Sequence, residues 1–129
     1  MKQIPKISES ELEVMRLLWE HDAPMTATQI CDELESQFDW GQSTIKTLLS
    51  RLCQKGAITR SKAAGGGVYS YTALVSRREY GRESADKLIG KIFGGSARNL
   101  IASLFEDDKL TKEDIAELRA LWDDKQKEK

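Results

Sequence analysis

Apolar residues recur at helical spacing through Leu12, Met15, Leu18 and Trp19, just behind a Ser8 and a Glu11 set three positions apart. That pair has the spacing of a capping box, in which hydroxyl and carboxylate each satisfy a backbone N–H left free in the first turn. A helix is therefore expected over about residues 9–21, ending at the breaker His-Asp-Ala-Pro. Thr26 and Gln29 repeat the box, and Ile30, Leu34 and Phe38 carry a second apolar face as far as Asp39 and Trp40. A third helix is expected from Gln42 or Ser43 to Lys55, since a basic last turn followed by Gly56 is a favoured helix ending. After Gly56 the period changes. The runs AITRSK and VYSYTAL are β-branched and aromatic, and the intervening AAGGG joins them as a hairpin loop.

Three helices followed by a hairpin is the winged-helix order. From Ser76 onward helical periodicity returns, with Ala85, Leu88, Ile89, Ile92 and Phe93, a break at Gly94-Gly95, then Leu100, Ile101, Leu104 and Phe105. A last helix is capped by Thr111 with Asp114 and carries Ile115, Leu118, Leu121 and Trp122, and the charged end DDKQKEK is expected to fray. The expected fold class is mainly α with a small β-hairpin. Residues 1–75 are expected to form a winged helix-turn-helix domain and residues 76–129 a separate helical region.

At 129 residues and 40% apolar composition, the chain has room for one small domain and an appendage. Its formal net charge is −1, yet Gly41 to Arg78 holds seven Lys or Arg and no Asp or Glu. An even spread of the 21 carboxylates would place about six in that window. A one-sign block that is also too apolar for a disordered tail points to an anionic partner. On the third helix, Ile45, Leu48, Leu49 and Leu52 form one stripe at about 100° per residue, while Ser43, Lys46, Thr47, Ser50 and Gln54 project from the other side. Short polar side chains without acids allow a helix to seat in a major groove about 12 Å wide and to bond base edges and phosphates. Thr44 and Arg51 flank that face. Arg60 and Lys62 precede the glycine loop, where a wing carries charge to the sugar-phosphate backbone.

The segments ISESELEVMRLLW, STIKTLLSRLCQKGAI and YSYTALVS resemble the BlaI/MecI/CopY family of bacterial winged-helix repressors, over nearly the whole chain. The resemblance implies a homodimer on a TACA/TGTA-type palindromic operator in double-stranded DNA, controlling copper-transport or β-lactam-resistance genes. It places Ser43, Thr44, Lys46, Thr47 and Arg51 at DNA-facing positions. Two features of the family's branches are missing. The copper-responsive branch typically ends in a CxC…CxC tail, whereas no cysteine follows Cys53 in this sequence, and Ser103-Leu104 stands where the β-lactam branch has its Asn-Phe cleavage site.

Residues 76–122 make three short amphipathic helices, below the size at which a lone segment buries enough apolar surface to fold. A second copy is the expected partner, with Leu88, Ile92, Leu100, Leu104, Ile115, Leu118 and Leu121 at the interface. Cys31 and Cys53 lie 22 positions apart with a single His21 in the chain, which gives no zinc spacing and no disulfide framework. His21 is expected to be exposed. No cofactor, metal or small-molecule substrate is expected. No Ser/His/Asp set or carboxylate pair suggests an enzyme. The first ten residues have no apolar leader core, and no run approaches the roughly 18 apolar residues of a membrane span, so a cytoplasmic protein is expected. The competing function is a winged-helix interaction module docking an acidic protein surface, which would show no preference for a palindrome.

Overall fold

The computed structural model describes residues 3–62 and 65–127. Ala63 and Ala64 of the expected hairpin loop lie outside the described residues, as do Glu128 and Lys129 of the charged end. The elements run α1 (Glu9–His21), β1 (Met25–Thr26), α2 (Ala27–Gln37), α3 (Gln42–Lys55), β2 (Ile58–Lys62), β3 (Tyr69–Ala73), α4 (Arg77–Ile92), α5 (Ala97–Glu106) and α6 (Lys112–Lys127).

Local chemistry sets the helix starts. Ser8 Oγ accepts from the Glu11 N–H at 3.2 Å while Glu11 Oε1 accepts from the Ser8 N–H at 2.8 Å, and Thr26 with Gln29 repeats both bonds at the same two distances. Thr111 and Asp114 do likewise at the start of α6. The α3 helix stops at Gly56, whose φ of 78° is a left-handed conformation that glycine adopts without steric penalty. The charged end departs from expectation. Rather than fraying, α6 continues through Lys127. Lys and Gln are good helix formers, and Lys125 and Lys127 place positive charge beside the free carbonyls of the last turn.

The sheet has one more strand than the sequence pattern suggests. β1 is only two residues long, too short to show an alternation, and it pairs antiparallel with β3 through Met25↔Tyr71 and Thr26↔Ser70. The strand order is β1-β3-β2, with β3 central. The core lies between this sheet and the first three helices. Val14, Met15, Leu17 and Leu18 of α1, Ile30 and Leu34 of α2, the α3 stripe, and Ala57, Ile58, Tyr71 and Val75 are all buried. Trp19 closes one end, its Nε1–H donating to the Val75 carbonyl at 2.8 Å.

The chain divides into two compact units, Met1–Glu83 and Ser84–Lys129, with the boundary inside α4. The first is a winged helix-turn-helix. The second contains the rest of α4 with α5 and α6, and none of these helices contains a fully buried residue.

One buried charge ties the first unit together. Glu11, 1% exposed, accepts from Lys55 Nζ at 2.5 Å, and the same ammonium donates to the Lys6 carbonyl at 2.8 Å. The N-terminus of α1 is thereby bonded to the C-terminus of α3. Burial alone pushes the Glu11 carboxyl up. Hydrogen bonds from Lys55 and Ser8, with the Lys55 charge, outweigh that and hold it below its ordinary value. A carboxylate depressed in the folded state stabilises fully above its unfolded pKa of about 4.3, and that stability is lost as pH falls through the lower folded value. Replacing Glu11 by Gln keeps the shape but removes the charge, and should destabilise the protein by about 2 kcal/mol at pH 7. Urea unfolding of parent and Glu11→Gln at pH 7 and near pH 3 checks this, and the difference between them should shrink at the lower pH.

Candidate nucleic-acid interface

The α3 helix divides its residues as the stripe requires. Ile45, Leu48, Leu49 and Leu52 are at most 5% exposed, each burial contributing about 1.5–3 kcal/mol. Ser43, Thr44, Lys46, Thr47, Ser50, Arg51 and Gln54 are all exposed. The start of α3 also differs from that of the other helices. Gly41 offers no side-chain cap and the first turn has no acid, whereas a Ser or Thr hydroxyl caps α1, α2, α4, α5 and α6. The partial positive charge of that turn is thus answered by no capping side chain and no first-turn acid among the described residues.

Thr47 has a more restricted repertoire than its type suggests. Its hydroxyl donates to the Ser43 carbonyl at 2.9 Å, within its own helix. It therefore presents oxygen lone pairs and a methyl group outward, suited to accepting from a base amino group or packing on a thymine methyl.

In the hairpin, β2 and β3 pair with Arg60 opposite Tyr71 and Lys62 opposite Tyr69, so both cations share one face of the sheet. Both are exposed and both stand over the Tyr69 ring, with the Arg60 guanidinium 4.3 Å and the Lys62 ammonium 4.8 Å from its centroid. The loop beyond runs through Gly65, Gly66 and Gly67 with φ of 91°, 95° and 106°, backbone that other residues rarely adopt. Between α3 and the hairpin lies a groove of about 420 Å³, walled by Lys46, Ser50, Gln54 and Cys53 on one side and Arg60 and Tyr71 on the other, with no carboxylate in its lining. The fold thus brings Lys46, Ser50 and Arg60 to one groove. Ser43, Thr44, Thr47, Arg51 and Lys62 are exposed without lining it.

Cys31 is buried and Cys53 half-buried. Burial pushes both thiols up, with Glu35 and Asp32 adding to the effect at Cys31 and Lys46 opposing it, and Arg60 opposing it at Cys53. Both are protonated at neutral pH, the weaker form for metal binding. Among the described residues no cluster of three His, Cys, Asp or Glu is placed to hold a metal ion. His21 is exposed at the end of α1, its Nδ1 3.2 Å from the Leu17 carbonyl. No helix among the described residues is long and apolar enough to cross a membrane.

Of the expected interface residues in the second unit, Leu88, Ile92, Leu118 and Leu121 are exposed, Ile92 at 68% and Leu121 at 65%. Leu100, Leu104 and Ile115 are half-buried. Ile101, Phe105 and Trp122 add to the apolar surface. Two features escaped the sequence pattern. Lys55 reads there only as a helix-ending cation, and nothing near Glu11 in the chain announces its distant partner. Tyr69 reads only as a strand aromatic beside a glycine loop.

Comparison with known proteins places these features in a lineage. Residues 7–124 match the penicillinase repressor family model. The chain is 33% identical over 118 residues to the penicillinase repressor of Bacillus licheniformis, covering 92% of this chain and 90% of that one. It is 32% identical over 120 residues to the methicillin resistance regulatory protein MecI of Staphylococcus aureus, covering 93% and 95%. The solution structure of monomeric Bacillus licheniformis BlaI in complex with the blaP half-operator superposes with a TM-score of 0.53 at 38% identity, over 62% of this chain and 94% of that one. The solution structure of the DNA-binding domain of the repressor BlaI gives the same values. With a match spanning nearly the whole chain and identity above 30% to full-length members, this chain belongs to the penicillinase repressor family.

Proposed function

We propose that the protein is a sequence-specific transcriptional repressor without enzymatic activity. It binds as a homodimer to a palindromic operator of the TACA/TGTA type that governs β-lactam-resistance or copper-transport genes. The observation that carries this reading is the exposed, carboxylate-free surface shared by α3 and the hairpin. Ser43, Lys46, Thr47 and Ser50 face the major groove, Thr44 and Arg51 meet its phosphate walls, and Arg60 with Lys62 reaches the adjoining backbone. The likeness to a BlaI chain solved on a half-operator supports the placement of α3. Dimerisation is supported by the second unit, whose helices bury no residue fully by themselves and expose Ile92, Leu118, Leu121 and Trp122. Joining two half-site readers through residues 76–122 makes the second contact intramolecular.

Lys46→Ala and Arg51→Ala should weaken operator binding while leaving thermal stability unchanged, since both side chains are exposed. Loss of a base contact should raise the dissociation free energy by about 1–3 kcal/mol on the cognate palindrome alone. Loss of a phosphate contact should weaken all sequences alike and lower the salt slope by about 1. Titrations of palindromic and scrambled duplexes at several salt concentrations separate these outcomes. Parent-like binding by both variants would remove α3 as the reader.

Leu121→Glu sets a charge into the proposed interface without emptying a packed core. Sedimentation should show a shift from dimer to monomer, and affinity for the full palindrome should fall by ~10²-fold with half-site affinity retained. A variant that remains dimeric would move the interface elsewhere.

A further inference from the structure

We infer that Tyr69 is a positioning residue of the hairpin wing, its ring face gathering the Arg60 guanidinium and the Lys62 ammonium into one preset cationic pair for a nucleic-acid phosphate strand. The inference rests on the operator-binding reading above. Three observations carry it. Both cations lie close to the same ring, at 4.3 Å and 4.8 Å from its centroid, within the range of cation–π attraction. The ladder holds that geometry in register, since Lys62 is directly opposite Tyr69 and Arg60 shares the same sheet face two pairs further in, opposite Tyr71. Tyr71 itself is 8% exposed and paired on both sides, to Met25 of β1 and Arg60 of β2, so the strand that presents Tyr69 is fixed from the core outward.

The physical need is specific to this hairpin. Two like charges on one face of a strand repel and spread through their rotamers. The stretch from Gly41 to Arg78 contains no carboxylate to draw them together. A carboxylate would organise them, but it would also repel DNA. An aromatic face attracts both cations through its quadrupole and carries no net charge, so it orders them without weakening the field a phosphate meets. Long side chains ordered before binding lose less freedom on binding. Tyr69 is 37% exposed, and the groove walled by Arg60 and Lys46 lies on the α3 side of the same hairpin.

The test uses the full chain and a TACA/TGTA-type palindromic duplex, titrated at several salt concentrations. Tyr69→Leu should lower affinity about tenfold with unchanged thermal stability and the parent's salt slope, because both cations are still present but no longer ordered. Tyr69→Phe should bind like the parent, since the ring face rather than the hydroxyl acts. R60Q/K62Q should lower both affinity and salt slope, and adding Tyr69→Leu to that pair should cause no further loss. Tyr69→Met serves as a second non-aromatic variant if Leu disturbs the strand, with the same expectation. An equal loss in Tyr69→Phe would make the hydroxyl a direct contact and overturn the inference, as would an undiminished effect of Tyr69→Leu in the R60Q/K62Q background. A loss in R60Q/K62Q with none in Tyr69→Leu would overturn the inference while leaving the wing's contact with DNA intact. Parent-like binding by R60Q/K62Q would overturn both.

Discussion

A helix that must leave one side bare for a partner has to be held entirely by its other side and its ends. α3 meets that constraint with Ile45, Leu48, Leu49 and Leu52, all buried among α1, α2 and the sheet, and with Lys55, whose ammonium reaches Glu11 at the start of α1. The apolar stripe fixes rotation about the helix axis, and the ion pair fixes its C-terminal end. Glu11 serves twice, as the carboxylate of the α1 capping box and as the acceptor for Lys55. Its second oxygen, Oε2, is buried with no hydrogen-bond partner among the described residues, so the pair holds geometry at a real desolvation penalty.

The electrostatics of the first unit follow from the same division. Every acid lies before Gly41 or beyond Arg78, while the surface of α3 and the hairpin has none. A surface so arranged attracts polyanions at long range even though the whole chain is slightly acidic. Within it, order comes from devices that add no negative charge. The Thr47 hydroxyl bonds back into its helix, and an aromatic ring rather than a carboxylate lies beside Arg60 and Lys62.

The second unit has the opposite character. Its helices bury no residue completely, and its charges are nearly balanced, with ten acidic and nine basic residues from Ser84 onward. Surface of this kind is stabilised by covering it, and the balance of charge leaves association to apolar contact. This contrast between a self-sufficient core in one unit and an unfinished one in the other underlies the proposed assembly.

Helix starts, the end of α3 and the hairpin were legible in the chain because capping boxes, glycine endings and apolar periods act over three or four residues. The exposed set on α3 was legible for the same reason, since a helix with a known buried stripe has a known outer face. What only the tertiary structure decided joins residues far apart: β1, which exists because Met25 and Thr26 find β3; the Glu11 to Lys55 bond across 44 positions; and the two cations over Tyr69. A two-residue strand has no period of its own, and a charged pair leaves no local pattern when its members sit on different helices. The charged end was misread because net polarity suggests fraying, whereas Lys and Gln favour helix and the last turn welcomes cations. Local rules name the elements and their outer faces; long-range packing decides which side chains are held still.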